Sequence, residues 1–186
     1  MTAAPVGVGK GLAAGIVAGL AAAWIMGQFH ALVFRVPGLS PPPAAGKDST
    51  VKTAAAISER LLHHELRPEE EQAAGSAVHY TFGAGVGGLY GATAEIAPVV
   101  ARAAGLPFGI AVWLGAHVIT VPALGLAQPI TRAPAPFEAV ELAAHLVYGA
   151  ATELLRRLLR GRREPRRSTH RSRLVARAAA AARRTQ

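Results

Sequence analysis

The chain has 186 residues, of which 51% are hydrophobic, and a formal net charge of +9 at pH 7. Because it contains no cysteine, structural disulfides and thiolate metal sites are excluded. Residues 156–186 hold 12 arginines and one acid, whereas residues 1–155 hold 8 lysines and arginines against 10 acids. The positive charge therefore belongs to a C-terminal tail and not to the body of the chain.

The first apolar run, residues 11–33, has about the length needed to cross the hydrocarbon core of a bilayer, which takes roughly 20 helical residues. It is longer than the apolar core of a signal peptide and only Lys10 precedes it, so we expect a helix that is retained. The proline-rich stretch 37–43 cannot continue a helix. The first predicted span therefore ends at about residue 33.

The next segment, residues 50–66, is polar and has helical character. Asp48 or Ser49 could cap its start, and Pro68 is predicted to end it. Its apolar residues could form one side, which is typical of a helix lying on the membrane surface or on the bundle. An ordinary extramembrane helix is the alternative interpretation.

Three further apolar runs follow, at residues 77–99, 106–127 and 137–155. They are continuous and rich in Ala, Gly and Leu, which favours helices over the alternating strands of a barrel. Pro122 predicts a kink inside the third span. The sequence thus predicts an all-α membrane protein, a four-transmembrane-helix bundle with an extramembrane helix between spans one and two, and a disordered basic tail over residues 158–186.

Four spans would put both chain ends on one side of the membrane. Of the lysines and arginines, 14 would lie on that side and 6 on the other, and the tail supplies most of the difference. Because basic residues are retained on the cytoplasmic side, both termini are predicted to be cytoplasmic.

Glycine recurs every four residues in the first two spans. Small residues at this spacing let helix backbones approach closely in lipid, although an Ala/Gly-rich sequence also produces such spacings by chance. We expect spans one and two to pack tightly through Gly11, Gly15, Gly19, Gly83, Gly87 and Gly91.

Inside the later spans, histidine and glutamate residues lie at the same four-residue intervals from glycines. A charged group at the bilayer centre costs at least about 2.5 kcal/mol, so such residues usually face protein or a cavity. We expect the outward-facing ones to form one cluster, with Glu95 nearer the inner end. Gln28 and His30, toward the outer end of span one, could converge with it. The predicted cluster consists of His79, His117, Glu141 and His145.

Glu153 is followed at three and four residues by Arg156 and Arg157. Residues at these spacings are neighbours on a helix surface, so we predict an interfacial ion pair there.

A histidine–carboxylate cluster allows three functional interpretations and one structural one. Histidine titrates near neutral pH, which suits proton sensing or relay. His117, His145 and Glu141 could bind a metal, and His117 with His145 could ligate haem. The structural interpretation is interhelical hydrogen bonding. Catalytic signatures such as G-x-S-x-G, H-E-x-x-H and a phosphate loop are missing from the sequence, so we expect no enzyme and no cofactor.

The arginine tail is predicted to bind anionic lipid headgroups, at about 1 kcal/mol per residue near the surface. Nucleic acid is a less suitable partner, because no aromatic residue occurs between Gly161 and Gln186 to stack on bases. The expected partners are the bilayer and its headgroups, with a homo-oligomer left open.

Residues 50–95, with "GAHVITVPALGL" and "FEAVELAAHLVYGAATELLRR" further on, resemble the YagU-like bacterial inner-membrane proteins, a family defined as a domain of unknown function. The resemblance covers residues 11–157, and the arginine tail lies outside it. It implies a multi-pass protein of the bacterial inner membrane and a link to acid resistance. We therefore expect a non-enzymatic role in acid tolerance, with a structural or partner-binding protein built on the glycines as the alternative.

Overall fold

A computed structural model describes residues 6–42 and 46–161. Within these residues the chain is all-helical. The α-helices are α1 (Val6–Val33), α2 (Ser49–Ile57), α3 (Pro68–Ile96), α4 (Leu106–Val112), α5 (Val121–Ala123) and α6 (Ala135–Arg160). A π-helical turn, Ser58–Leu62, follows α2, and a longer π-helical segment, Trp113–Thr120, joins α4 to α5 without a break.

In the described part of the chain, two helical stretches are long and apolar enough to cross a membrane, Gly7–Val33 and Ala103–Ala123, the second of which has non-helical backbone at Ala104. Only 39% and 11% of their most apolar windows are buried inside the structure, whereas the core helix of a soluble protein would be mostly buried. Length, composition and exposure therefore favour a membrane setting for these two helices.

Helices α1 and α3 lie against each other in antiparallel orientation. A Cβ atom added at Gly11 would lie 2.5 Å from the carbonyl oxygen of Gly91, and one added at Gly19 would meet the carbonyl oxygen of Gly83. Such proximity is possible only because neither helix has a side chain at the crossing. The α1–α3 pair is thus held by backbone contact along the predicted glycines.

The last helix, α6, runs parallel to α3 and antiparallel to α4. The Tyr148 hydroxyl donates to the carbonyl oxygen of Gly83 (2.7 Å), and Gly109 and Gly149 bring the backbones of α4 and α6 together. The four long helical stretches of the described residues therefore alternate in direction. They surround an interior in which Tyr148 is only 2% exposed.

The interior is made of small and polar residues, and the large apolar side chains point outward. Ala18, Ala22 and Ala144 are fully buried, as is Thr152. Among the exposed side chains are many that soluble proteins bury. They include Ile16, Val17, Leu20, Phe82, Leu89, Ile110, Leu114, Ile119 and Leu154.

Several helix boundaries differ from the predicted ones. Pro68 does not end the extramembrane helix but begins α3, because proline lacks only a backbone N–H that the first helical turn leaves unpaired anyway. Asp48 caps α2 by accepting from the Thr50 N–H at 2.7 Å. Helix α6 continues to Arg160, and residues 162–186 of the predicted tail lie outside the described residues.

Candidate functional site

Five ionisable side chains meet at one end of the bundle. His117 Nε2 lies 3.0 Å from Glu138 Oε2, and its Nδ1 lies 3.9 Å from Glu141 Oε2. On the other side of Glu141, His30 Nε2 lies 3.2 Å from Oε1. His145 completes the group, since its ring centroid lies 5.9 Å from that of His117. We refer to His30, His117, Glu138, Glu141 and His145 as the histidine cluster.

Three elements position the cluster. His30 comes from the last turn of α1 and stacks on Phe34 with 4.9 Å between ring centroids. Glu138, Glu141 and His145 lie at spacings of three and four on α6, so they share one helix face. His117 comes from the π-helical segment, a geometry that recurs at functional sites.

The histidines of the cluster make different hydrogen bonds. His145 Nδ1 donates to the backbone carbonyl of Glu141 (2.7 Å), which fixes the tautomer of the neutral ring. His117 Nε2 is aligned with Glu138 as a hydrogen bond, whereas His30 Nε2 is buried close to Glu141 without hydrogen-bond alignment. His30 and Glu141 are therefore in close contact without a hydrogen bond between them.

The cluster is shielded but not sealed from solvent. The side chains of His30 and His117 are 20% and 23% exposed, and those of Glu138 and Glu141 are 13% and 12% exposed. Carboxylates at this burial interact more strongly with a charged imidazole than they would in water. The arrangement thus keeps histidine–carboxylate contacts within reach of solvent.

The structure brings together three of the four residues predicted to converge: His117, Glu141 and His145. It places His79 elsewhere, with Nε2 donating to the carbonyl oxygen of Ala23 (3.1 Å) and the ring edge-on to Tyr80. Glu95 lies at the opposite end of the bundle.

Sequence reasoning allowed His30 to converge with the predicted cluster but did not find Glu138. Glu138 precedes Glu141 by three residues, so the helix spacing alone could have placed both carboxylates on one face.

Within residues 6–42 and 46–161, no group of three His, Cys, Asp or Glu side chains is arranged to hold a metal ion. The metal alternative therefore gains no support from the geometry of His117, His145 and Glu141. The haem alternative stays a prediction.

A second group, the ion-pair cluster, closes the other end of the bundle. Arg160 binds Glu95 through Nε (2.8 Å) and Nη2 (3.0 Å), and Arg156 binds Glu153 through the same two atoms at the same distances. Arg157 also donates to Glu153 and, through Nη2, to the carbonyl oxygen of Ala101 (2.8 Å). Two-point contacts of this kind are the strongest form of arginine–carboxylate pairing.

The carboxylates of this ion-pair cluster are almost completely buried, with Glu95 3% and Glu153 1% exposed. Tyr90 supplies a further donor to Glu153 at 2.9 Å. The predicted contacts of Glu153 with Arg156 and Arg157 are present in the structure. The pairing of Glu95 with Arg160 was not predicted, because it joins two helices whose relative rotation the sequence spacing does not fix.

A third charged contact ties the start of α3 to the segment before it. Glu70 accepts from the Arg67 side chain (2.7 Å), the Arg67 backbone N–H (2.9 Å) and His64 (3.1 Å). The Arg67 side chain, then the Arg67 backbone N–H and then His64 lower the pKa of Glu70 to about 2. This end of α3 carries a stable negative charge, which the positive end of the helix dipole also favours.

Comparison with known proteins identifies one family. A family model described as "protein of unknown function (DUF1440)" matches residues 57–154, more than half of the chain. The matched range includes Glu95 and Glu153 and the whole histidine cluster except His30, while Arg156, Arg157 and Arg160 lie outside it. Neither a curated protein nor a solved structure matches the chain. The protein thus belongs to the DUF1440 family.

Proposed function

We propose that this protein is a four-span membrane protein whose histidine cluster takes up and releases protons at the outer face of the bacterial inner membrane. The proposed role is non-enzymatic and serves acid tolerance. One observation carries it: His30 and His117, from two separate elements, each contact a carboxylate of α6 at one end of the bundle, and His145 lies beside His117.

The membrane setting is supported by the distribution of side chains. Leucine, isoleucine and phenylalanine face outward on α1, α3 and the α4–α5 helix, while glycine, alanine and tyrosine fill the interior. In water such a surface would be a large exposed apolar area. In lipid it is the expected arrangement, because helix association there depends on close packing of small residues.

A four-span protein requires α3 and α6 to cross the membrane as well as the two helices that are long and apolar enough to do so. Their polar groups face the interior: Tyr148 donates to Gly83, and Glu153 is bound by arginines. A spanning helix can carry such groups when protein, and not lipid, surrounds them. Basic residues then place the ion-pair cluster and both chain ends on the cytoplasmic side, and the histidine cluster outside.

The chemistry of the cluster follows from its composition. With all three histidines neutral, Glu138 and Glu141 give it two negative charges. Protonation of His117 and His30 would convert the contacts of 3.0 Å and 3.2 Å into ion pairs. Histidine is the side chain whose charge ordinarily changes between pH 5 and 8, so acidification would neutralise the cluster and tighten the contact of α6 with α1 and the π-helical segment.

The test is a titration of the histidine rings by NMR on histidine-labelled protein in lipid nanodiscs. We expect the response of the His117 ring signals to pH to change when Glu138→Gln removes the carboxylate charge but keeps the shape of the side chain. His63→Asn, which removes an exposed histidine from the loop between α2 and α3, is the matched control and should leave that response unchanged.

The physiological arm of the test measures survival at low pH. Cells carrying His117→Asn together with His30→Asn should survive acid exposure less well than cells carrying His63→Asn, at equal protein abundance. A His117 ring that does not titrate between pH 5 and 8, or unchanged survival of the double variant, would contradict the proposal.

The alternative role, recruitment of a partner through the glycines, is less well supported. A Cβ added at Gly15 or Gly87 would meet backbone atoms of the facing helix within this same chain. The glycine surfaces of α1 and α3 are thus occupied by each other.

A further inference from the structure

We propose that a cleft at the cytoplasmic end of the bundle binds the phosphate of one anionic phospholipid. The cleft lies between the last turn of α3 and the last turns of α6 and has a volume of about 310 Å³. Its walls include three arginines and the turn that follows α3. We refer to it as the arginine cleft, lined by Arg156, Arg157, Arg160, Glu95, Pro98 and Ala101.

Charge in the arginine cleft favours an anion. Among the residues that the structure describes, three guanidinium groups face the two carboxylates of Glu95 and Glu153, which leaves one positive charge in excess. Within the described residues, Arg157 and Arg160 donate through Nε and Nη2, so their Nη1 groups can donate further. Guanidinium donors in a fixed plane match the oxygens of a phosphate, which a single ammonium group does not.

The ion pairs also hold these donors in place before any ligand arrives. Arg156 and Arg160 are each bound at two points to a carboxylate that is nearly inaccessible to solvent. A ligand that meets fixed donors loses less affinity to ordering them. Arg157 is 57% exposed and is therefore the arginine best placed to contact a headgroup as it enters the cleft from outside.

The surroundings of the cleft select a lipid over free phosphate. Large apolar residues that directly follow lining residues in the sequence are exposed: Ile96 is 72% exposed, Val99 55% and Leu158 68%. A phosphate in the cleft would leave acyl chains lying along these side chains. Basic pockets between helices on the cytoplasmic side are a known mode of headgroup binding. The inference rests on the proposed membrane setting but not on proton binding at the other end.

The test uses the full-length chain in neutral detergent and measures thermal unfolding and native mass spectra with added lipid. We expect phosphatidylglycerol to raise the unfolding temperature, and phosphatidylcholine and inorganic phosphate to raise it much less. Arg157→Gln should weaken phosphatidylglycerol binding about fivefold or more, which corresponds to the loss of one charge-assisted contact. Glu153 keeps Tyr90 and Arg156 in this variant, so folding should be retained.

Two matched variants make the result specific to the cleft. Arg163→Gln removes the same charge from the tail and should leave phosphatidylglycerol binding within twofold of the unchanged protein. Arg157→Lys keeps the charge but loses the planar donor pair, and should bind more weakly than the unchanged protein.

Three results would overturn the proposal. Equal weakening by Arg157→Gln and Arg163→Gln would assign lipid binding to the overall charge of the tail. A stabilisation by inorganic phosphate that equals that by phosphatidylglycerol and is lost in Arg157→Gln would assign the cleft to free phosphate. Equal stabilisation by phosphatidylglycerol and phosphatidylcholine would show that the headgroup charge is not recognised. Alkaline carbonate extraction tests the membrane setting and histidine titration tests proton binding, and both are separate from the lipid measurement. A failure of lipid binding therefore leaves the proton proposal intact.

Discussion

Glu70 accepts three hydrogen bonds where the chain enters α3, and Arg67 provides two of the donors. Its pKa is lowered from 4.5 to about 2, chiefly by the Arg67 side chain. A carboxyl group with a depressed pKa stabilises the folded state above its unfolded pKa. That contribution is lost as the pH falls from about 4.5 toward 2.

We therefore expect the Glu70 carboxyl carbon, followed by NMR, to titrate near pH 2 in the unchanged protein. Arg67→Gln should move the midpoint up toward 4.5, because it removes the largest cause of the shift. Arg60→Gln is the control, since Arg60 lies in the π-helical turn after α2 and is not a partner of Glu70. A midpoint near 4.5 in the unchanged protein would contradict the assignment.

Individual residues also show how far the sequence could define the candidate site. Four-residue spacing placed His117 on one helix face and Glu141 with His145 on a face of another helix. In the structure these two faces lie against each other. The depth of His30 in the first span made it a candidate, but spacing within a helix could not decide its membership, because that depends on how α1 is rotated toward α6. His79 shows the opposite error: a backbone carbonyl of α1 satisfies it outside the cluster.

Among the helices, the α1–α3 pair has the least tolerance for added volume. A Cβ atom at Gly87 would lie 2.6 Å from the carbonyl oxygen of Gly15 and 2.7 Å from the Cα atom of Gly19. Both are backbone atoms, so neither can move aside by changing a side-chain rotamer. The glycine spacing in the sequence predicted this contact, because a repeat of four keeps the small residues on one face of each helix.

Gly87→Ala should therefore destabilise the bundle by about 1–3 kcal/mol, the usual cost of overpacking an interior. Gly85→Ala is the matched control, because no other part of the described chain lies within 4 Å of its added Cβ. Unfolding by sodium dodecyl sulfate in mixed micelles measures both variants. Equal stabilities would show that α1 and α3 do not pack through their glycines.

The bundle has a charged group of residues at each end and an exposed apolar surface between them. The histidine cluster occupies one end and the ion-pair cluster the other, and α6 contributes residues to both. The apolar runs predicted the all-helical character of the described residues, including the long helices α1, α3 and α6. Their ends could not be placed so well, because α3 and α6 continue beyond their apolar parts through residues that bind charged partners, such as Glu70 and Arg160.

The missing cysteines make the orientation directly measurable. Single replacements Arg35→Cys and Ala133→Cys should react with a membrane-impermeant maleimide added to intact cells, because both lie on the predicted outer side. Arg102→Cys lies at the other end and should react only after the membrane is permeabilised. Labelling of Arg102→Cys in intact cells would contradict the proposed topology, and extraction of the protein by alkaline carbonate would contradict membrane insertion itself.

The π-helical segment Trp113–Thr120 also bears on how sequences of this family should be aligned. Its wider turns accommodate a residue that a regular α-helix of the same rise would lack. Loss of one residue there would therefore leave a regular α-helix, with the parts before and after it keeping their present orientation. A relative with a single gap between Trp113 and Thr120 is thus expected to keep α4 and α5 where they are in this structure. Alignments of the family should allow a gap at this segment without assigning a different packing to the helix that contains it.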